Sequence, residues 1–340
     1  AFQFFSDSTG WRRSQLHTHP IHPKKAGNVA NQTQVLHPLA GSPNTAGVRK
    51  RQAKTFLTAM LFLAPSLAIF LTFVFIPLVR SFILSSQLTN PIGVPVAFYG
   101  LEHYRKLFAN DVFINSLSRS ALFVVYVVPS TLLISLLLAV LGNLRLKFIA
   151  AFRLIFSITI AVSAATASLI FMYLYHPTVG AINYLIGLVG FEAVPWLINE
   201  KTALIAVAIC AIWLQIGLNT VILLAAMQGV PEELYESAVI DGANSWNKFK
   251  SITLPLLSPT FFFLMVVDTL AAFQTFTQVN IMTRGGPLDS TNVLVYSIYR
   301  EFYFNGKYGF AAAQSVMLFF IMLILTIIQF TVVEKRVNYE

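Results

Sequence analysis

Six apolar stretches dominate this chain, at roughly residues 55–79, 112–142, 148–175, 203–228, 260–283 and 309–333. Each meets the length of about 20 residues that a helix needs to cross the hydrocarbon core of a bilayer. Lipid offers no water to backbone N–H and C=O groups, so such segments are expected to be helices that bond internally. The composition agrees. Hydrophobic residues are 56% of the 340 and charged residues only 11%, where a soluble domain carries about 25% charged. The expectation is an all-α membrane protein with six transmembrane helices.

The charges report topology. A formal net charge of +9 would suggest nucleic acid if it formed one basic face, but eight Lys and Arg lie in residues 1–54 beside one acid, Asp7, and most others flank apolar segments. The expected partner is therefore the lipid bilayer, and no nucleic acid. Eleven Lys and Arg flank the spans on one side, including Arg49, Lys50, Arg51, Lys54, Lys147, Arg153, Lys335 and Arg336, against seven on the other. The positive-inside rule puts the richer side, with both termini, in the cytoplasm. Residues 1–54, rich in Gly, Pro, Ser, Thr, Asn, Gln and His, read as a disordered basic cytoplasmic tail. The cluster of His17, His19 and His22 does not read as a metal site, because Pro20 and Pro23 forbid the helical spacing that would converge the rings. Phe2, Phe4 and Phe5 have no account. No apolar h-region precedes the first span, so no cleaved signal peptide is expected. Cys210, the one cysteine, allows no intrachain disulfide and reads as a packing residue.

A polar stretch from Gly229 to Pro259 separates two of the spans, and it is longer than an ordinary connector. It reads as two short helices around a sharp turn. Pro231 suits a first helical position, and Glu232 and Glu233 follow where negative charge meets the positive end of the macrodipole. Leu234, Tyr235, Ala238 and Val239 fall on one helical face, opposite Glu232, Glu233 and Glu236. Gly242 supplies the left-handed conformation that ends a helix. Asn244 or Ser245 then caps a second helix, carrying Trp246, Phe249 and Ile252.

Glu236-Ser237-Ala238, Asp241-Gly242-Ala243, Phe249, Ile252, Leu254-Pro255 and Pro259 resemble the EAA loop of ABC-transporter importer permeases. In that family the loop forms coupling helices that seat in a cleft of the cytoplasmic ATPase subunit. The resemblance thus implies ATPase-coupling roles for Glu236, Ser237, Ala238, Asp241, Gly242, Ala243, Phe249, Leu254 and Pro255. Ser237 departs from the family, which usually has a second Ala there. Arg284-Gly285-Gly286-Pro287 with Thr291 is similar to the start of the family's outward loop, which implies that Gly285, Gly286 and Pro287 contact an external binding protein. Gly100, Leu101 and Tyr104 match a third feature. Thr291 to Glu301, Ala312 to Val316 and Val333 to Tyr339 are similar to the first permease subunit of glycerol-3-phosphate importers, a branch close to the sugar permeases. The resemblance implies a permease domain over 55–340 in the bacterial inner membrane, with a coupling loop at 229–259. It also implies a second homologous permease, two ATPase subunits that bind ATP and Mg, an external substrate-binding protein, and no cofactor in this chain. The implied solute is small and polar: a sugar, a glycosylated polyol or glycerol-3-phosphate.

No catalytic constellation is visible. There is no Gly-x-x-x-x-Gly-Lys-Ser/Thr loop for phosphates, no His-Glu-x-x-His and no cysteine cluster, so the chain is not expected to be an enzyme. The informative residues are polar ones at membrane depth, which are costly unless partnered or facing water. Span four carries Gln215, Asn219 and Thr220, with Gly217 among them. Span five carries Asp268, Gln274, Thr275 and Gln278, and the spacing of the last three predicts one shared helical face. These groups either hold helices together or line a translocation cavity. Within the resemblance, Asp268 and Thr275 match substrate-contact positions of the maltose branch. A bare carboxylate at Asp268 would repel a phosphate, which favours a neutral solute or a gating role with a basic partner. The rival reading is a self-contained secondary transporter or channel, but no internal repeat is apparent and the polar loop would have no role in it.

Overall fold

A computed structural model describes the backbone of residues 45–144 and 147–336, with side chains from 54 to 144 and from 147 to 335. The histidine cluster, the early phenylalanines and most of the expected tail lie outside the described residues. The chain divides into two units at Ala64/Pro65. The described part of the first belongs to helix α1 (Thr45–Phe70). Helix therefore begins ten residues earlier than the expected start of the first span. Thr45 and the basic run that follows propagate the span's helix instead of ending the tail.

In the second unit, a π-type turn over Leu71–Phe75 leads into α2 (Ile76–Ser85), with Ile76 N–H donating to the Leu71 carbonyl. It precedes Pro77, which has no N–H and crowds the carbonyl four residues back, so a widened turn is the local accommodation. A β-hairpin follows, β1 (Gln87–Thr89) pairing antiparallel with β2 (Pro95–Phe98). This corrects the all-α expectation. Asn90-Pro91-Ile92-Gly93 has turn chemistry: the Asn90 Oδ1 accepts from Ile92 N–H and from Val94 N–H, and Gly93 takes φ +85°. Next come α3 (Glu102–Phe108) and α4 (Asp111–Gly142), the latter capped by Asn110 Oδ1 accepting from Phe113 N–H.

The third apolar stretch is not one straight helix. It forms α5 (Ile149–Ala161) and α6 (Ala164–Leu174), bent by 107°. Val162 is extended, and Ser163 begins a new helix by accepting from Thr166 N–H, an N-cap competing with helix continuation. Short α7 (Ala181–Leu188) leads to α8 (Glu200–Gln228), and the polar stretch holds α9 (Glu232–Ile240) and α10 (Ser245–Lys248). After a π-type turn at Phe249–Thr253 come α11 (Leu254–Leu256) and α12 (Ser258–Phe273). Span five also breaks, at Gln274–Phe276, before α13 (Thr277–Met282). Last are α14 (Leu294–Tyr299) and α15 (Tyr308–Ile328). Among the described residues, five helical segments are long and apolar enough to span a bilayer, and the bent α5–α6 pair makes a sixth if it counts as one span.

Helix α8 is central. Half of its most apolar window is buried inside the chain, against 6% for α15, so α8 packs against protein while α15 keeps most of its surface for lipid or another chain. Hydrophobicity alone does not drive helices together in lipid; close packing does. Ala206, Val207, Cys210 and Ala211 give α8 a small-residue side against Phe123 and Val127 of α4 and Phe171 of α6. Cys210 is a buried packing residue here. Gly217 marks a close crossing, since a Cβ there would run into Thr159 Oγ1 and the Phe156 carbonyl of α5.

Candidate functional site

The stretch between α8 and α12 folds as its residues dictate. Pro231 caps α9 rather than entering it. At the other end Gly242 takes φ +77°, its N–H donates to the Val239 carbonyl at 3.0 Å, and Ala243 N–H donates to the Ala238 carbonyl at 2.8 Å. Those two bonds with a left-handed glycine form a Schellman stop. Asn244, not Ser245, caps α10: its Oδ1 accepts from Asn247 N–H at 2.8 Å. Tyr235 and Thr253 hydroxyls meet at 2.9 Å, fastening α9 to the turn before α11.

Apolar side chains on this loop face outward. Val239, Ile240 and Trp246 are 57%, 87% and 66% exposed, which for three large groups on one short segment marks a contact surface. Glu236, Ser237, Asp241 and Gly242 are exposed, while Ala238, Ala243 and Phe249 are partly covered. The expected apolar face thus splits: Tyr235 and Ala238 turn inward, Leu234 and Val239 outward. Leu254 is 39% exposed, and Pro255 follows the π-type turn at Phe249–Thr253, the same widened accommodation of a missing N–H that precedes Pro77. A Cβ at Gly242 would meet nothing within 4 Å, so the glycine is required by φ and its surroundings are open.

The membrane-depth residues separate into three groups. Asn219 Nδ2 donates to Asp268 Oδ2 at 2.6 Å, both residues being 3% exposed. Asp268 is thus a buried, hydrogen-bonded group joining α8 to α12, and among the described residues no Lys or Arg pairs with it. It is buried against Asn219 and is not half of an ion pair among the described residues. Gly217 belongs to the α5–α8 crossing, and Thr220 returns its hydroxyl to the Ile216 carbonyl, so neither presents a free group. Gln215 is partly buried, and its Oε1 has no partner.

Gln274, Thr275 and Gln278 do not share a helical face, because the helix ends between them. Gln274 is the C-cap of α12, and Phe276 leaves helical geometry at φ −127°. Gln274 is exposed and opens into a groove of about 330 Å³ against α15, with Ser315, Leu318, Met322 and Thr326. Thr275 is buried, its hydroxyl donating to the Ala271 carbonyl, and Gln278 is partly covered. The α15 side was missed from sequence. Gln314 is buried with an unpartnered Oε1, and Gln329 Nε2 donates to Thr269 Oγ1 at 3.1 Å. Polar residues in an apolar run were the available signal, the same one that picked out spans four and five.

The loop after α13 is held in left-handed geometry. Arg284, Gly285, Leu288 and Asp289 all have positive φ. Thr291 Oγ1 donates to the Gly286 carbonyl at 2.8 Å, and Arg300 pairs with Asp289 at 2.6 Å. A Cβ on Gly285 would stand 2.7 Å from the Tyr296 ring. Pro287 and an 84%-exposed Leu288 border a shallow recess of about 550 Å³ with Pro195, Ile198, Asn199, Glu200 and Lys201.

A family model described as "Binding-protein-dependent transport system inner membrane component" matches residues 90–339. The sn-glycerol-3-phosphate transport system permease protein UgpA of Pectobacterium atrosepticum is 35% identical over 279 residues, covering 81% of this chain and 94% of that protein. Its namesake from Rhizobium meliloti is 34% identical over 280 residues, covering 82% and 95%. Among solved structures, a chain of a bacterial alginate ABC transporter, crystallised in complex with an alginate pentasaccharide-bound periplasmic protein, superposes with a TM-score of 0.72 at 22% identity, covering 83% of this chain and 94% of that one. A second alginate importer structure gives 0.69, with 84% and 99% covered. At that identity the likeness speaks for the fold.

Proposed function

This chain belongs to the family of binding-protein-dependent transport system inner membrane components and is a permease subunit of an ABC importer, and we propose that it forms half of a translocation pathway for sn-glycerol-3-phosphate or a similar small polyol. The names of its relatives support that solute class. In this reading the chain sits in a bacterial inner membrane with both termini and the 229–259 loop in the cytoplasm. A second, homologous permease completes the pathway, and an external binding protein delivers the solute to the Gly285-Gly286-Pro287 side. Two ATPase subunits hold ATP and Mg and drive the cycle, while this chain hydrolyses nothing.

The observation that carries the reading is the exposed shoulder around Gly242. Two helices set by a Schellman turn present Ile240 and Trp246 to the outside, as a preformed surface for a protein cleft would. Glu236 and Asp241 beside it are exposed and can meet basic groups there. The solute-facing wall is assigned to Gln274 and Gln278, with Gln215 and Gln314 offering acceptors at depth. Asp268, Asn219, Gly217, Thr220 and Thr275 hold that wall in place. Purifying the tagged chain in mild detergent and identifying what accompanies it tests the assembly: an ATPase and a second permease are expected. A lone chain that transports the solute would overturn it.

A further inference from the structure

The end of the second unit away from the coupling loop holds a cavity of about 610 Å³, whose lining includes Leu88, Tyr99, Lys106, Asn110, Lys307 and Phe310. That volume is in the range of small-molecule sites, about 300–1,000 Å³. Its walls are tied across the chain. His103 Nε2 bonds the Gln87 carbonyl at 3.0 Å, Tyr104 donates to Ser85 Oγ at 2.7 Å, and Gly309 N–H donates to Thr89 Oγ1 at 3.3 Å. Gly309 is needed there, because a Cβ would run into the Gln87 carbonyl. The cavity is therefore preformed by the hairpin, α3 and the start of α15.

Its charge is one-sided. Lys106 Nζ donates to Tyr99 OH at 2.6 Å and lies 5.1 Å from the ring centroid, an ammonium with two further donors to give. That hydrogen bond raises the Lys106 pKa, keeping it charged. Lys307 stands 3.6 Å from Glu301 and is 62% exposed. No described carboxylate lines the cavity. Around it the surface is apolar and open: Ile92, Val96 and Phe98 of the hairpin and Phe108 after it are 62–81% exposed. Such side chains belong at the lipid interface.

We propose that this cavity seats the headgroup of an anionic glycerophospholipid, with Lys106 and Lys307 on the phosphate and Leu88, Pro91 and Phe310 against the glycerol and first methylenes. A lone phosphate would leave most of the space unfilled and has no use for the apolar walls. That the lipid comes from the outer leaflet rests on the orientation proposed above; the binding itself does not.

Native mass spectrometry on the purified protein, titrated with phosphatidylglycerol and phosphatidylcholine, tests this independently of transport and of co-purified subunits. Wild type should retain phosphatidylglycerol in preference. Lys106→Gln and Lys307→Gln should each lower that preference, by about fivefold for a fully available lysine, with Lys307→Gln the smaller because Glu301 already offsets part of its charge. Asn305→Glu, which adds a carboxylate to the lining, should abolish the preference, while Lys201→Gln elsewhere should not change it. Unchanged preference in the double lysine variant would overturn the proposal. Displacement of phosphatidylglycerol by soluble sn-glycerol-3-phosphate would also overturn it, and would assign the cavity to a soluble phosphate.

Discussion

Two buried contacts decide how span four holds to its neighbours, one to span three and one to span five. At Gly217 any side chain meets Thr159 and the Phe156 carbonyl, and overpacking of this kind costs about 1–3 kcal/mol. Gly217→Val should lower the unfolding temperature in detergent, and an unchanged melt would mean that α5 does not cross α8 there. At Asn219 and Asp268 the bond between helices is short and dry. Interhelical hydrogen bonds in membranes average about 0.6 kcal/mol and reach about 1.7 kcal/mol. A double-mutant cycle of Asn219→Ala and Asp268→Ala should return a coupling energy in that range, and additive losses would contradict the contact. Gly217 was singled out in sequence for its polar neighbours, yet its role is steric. A glycine's close approach depends on which helix lies opposite, and sequence spacing does not carry that.

At the scale of elements, the apolar runs were legible and their interruptions were not. The 229–259 stretch was readable because Pro231, Gly242 and Asn244 act through local backbone chemistry, within a few residues of where they stand. The bend at Val162–Ser163 and the break at Gln274–Phe276 are also local, but each sits inside a run apolar enough to mask it. One serine cap or three residues out of helical geometry leave average hydropathy almost untouched. The hairpin at Gln87–Phe98 had its signal in Asn90-Pro91-Ile92-Gly93. The break has a direct test in a Cys210→Ala background. Gln274→Cys should react readily with a water-soluble thiol reagent, and Thr275→Cys, 7% exposed in the parent, should react at least tenfold more slowly. Equal labelling along 274, 275 and 278 would restore a continuous helical face.

At the scale of the molecule, the reading requires the 229–259 loop and the loop after α13 to lie on opposite sides of the membrane. A reporter fused after Asp241 should be cytoplasmic and one after Asp289 external; the reverse would undo both the charge count and the coupling assignment. Coupling itself is tested at Gly242. Beyond its chain neighbours, no atom of the described residues lies within 4 Å of a Cβ there, so a substitution strains the left-handed turn, by about 1–2 kcal/mol, and otherwise reaches whatever docks on the loop. The measurement is solute-stimulated ATP hydrolysis by the assembled importer in proteoliposomes, wild type against Gly242→Asp, at matched membrane level. The account predicts that the variant inserts and receives solute from the binding protein but loses most of the stimulation. Normal stimulated hydrolysis and transport in Gly242→Asp would show that this loop does not couple the ATPase to the pathway.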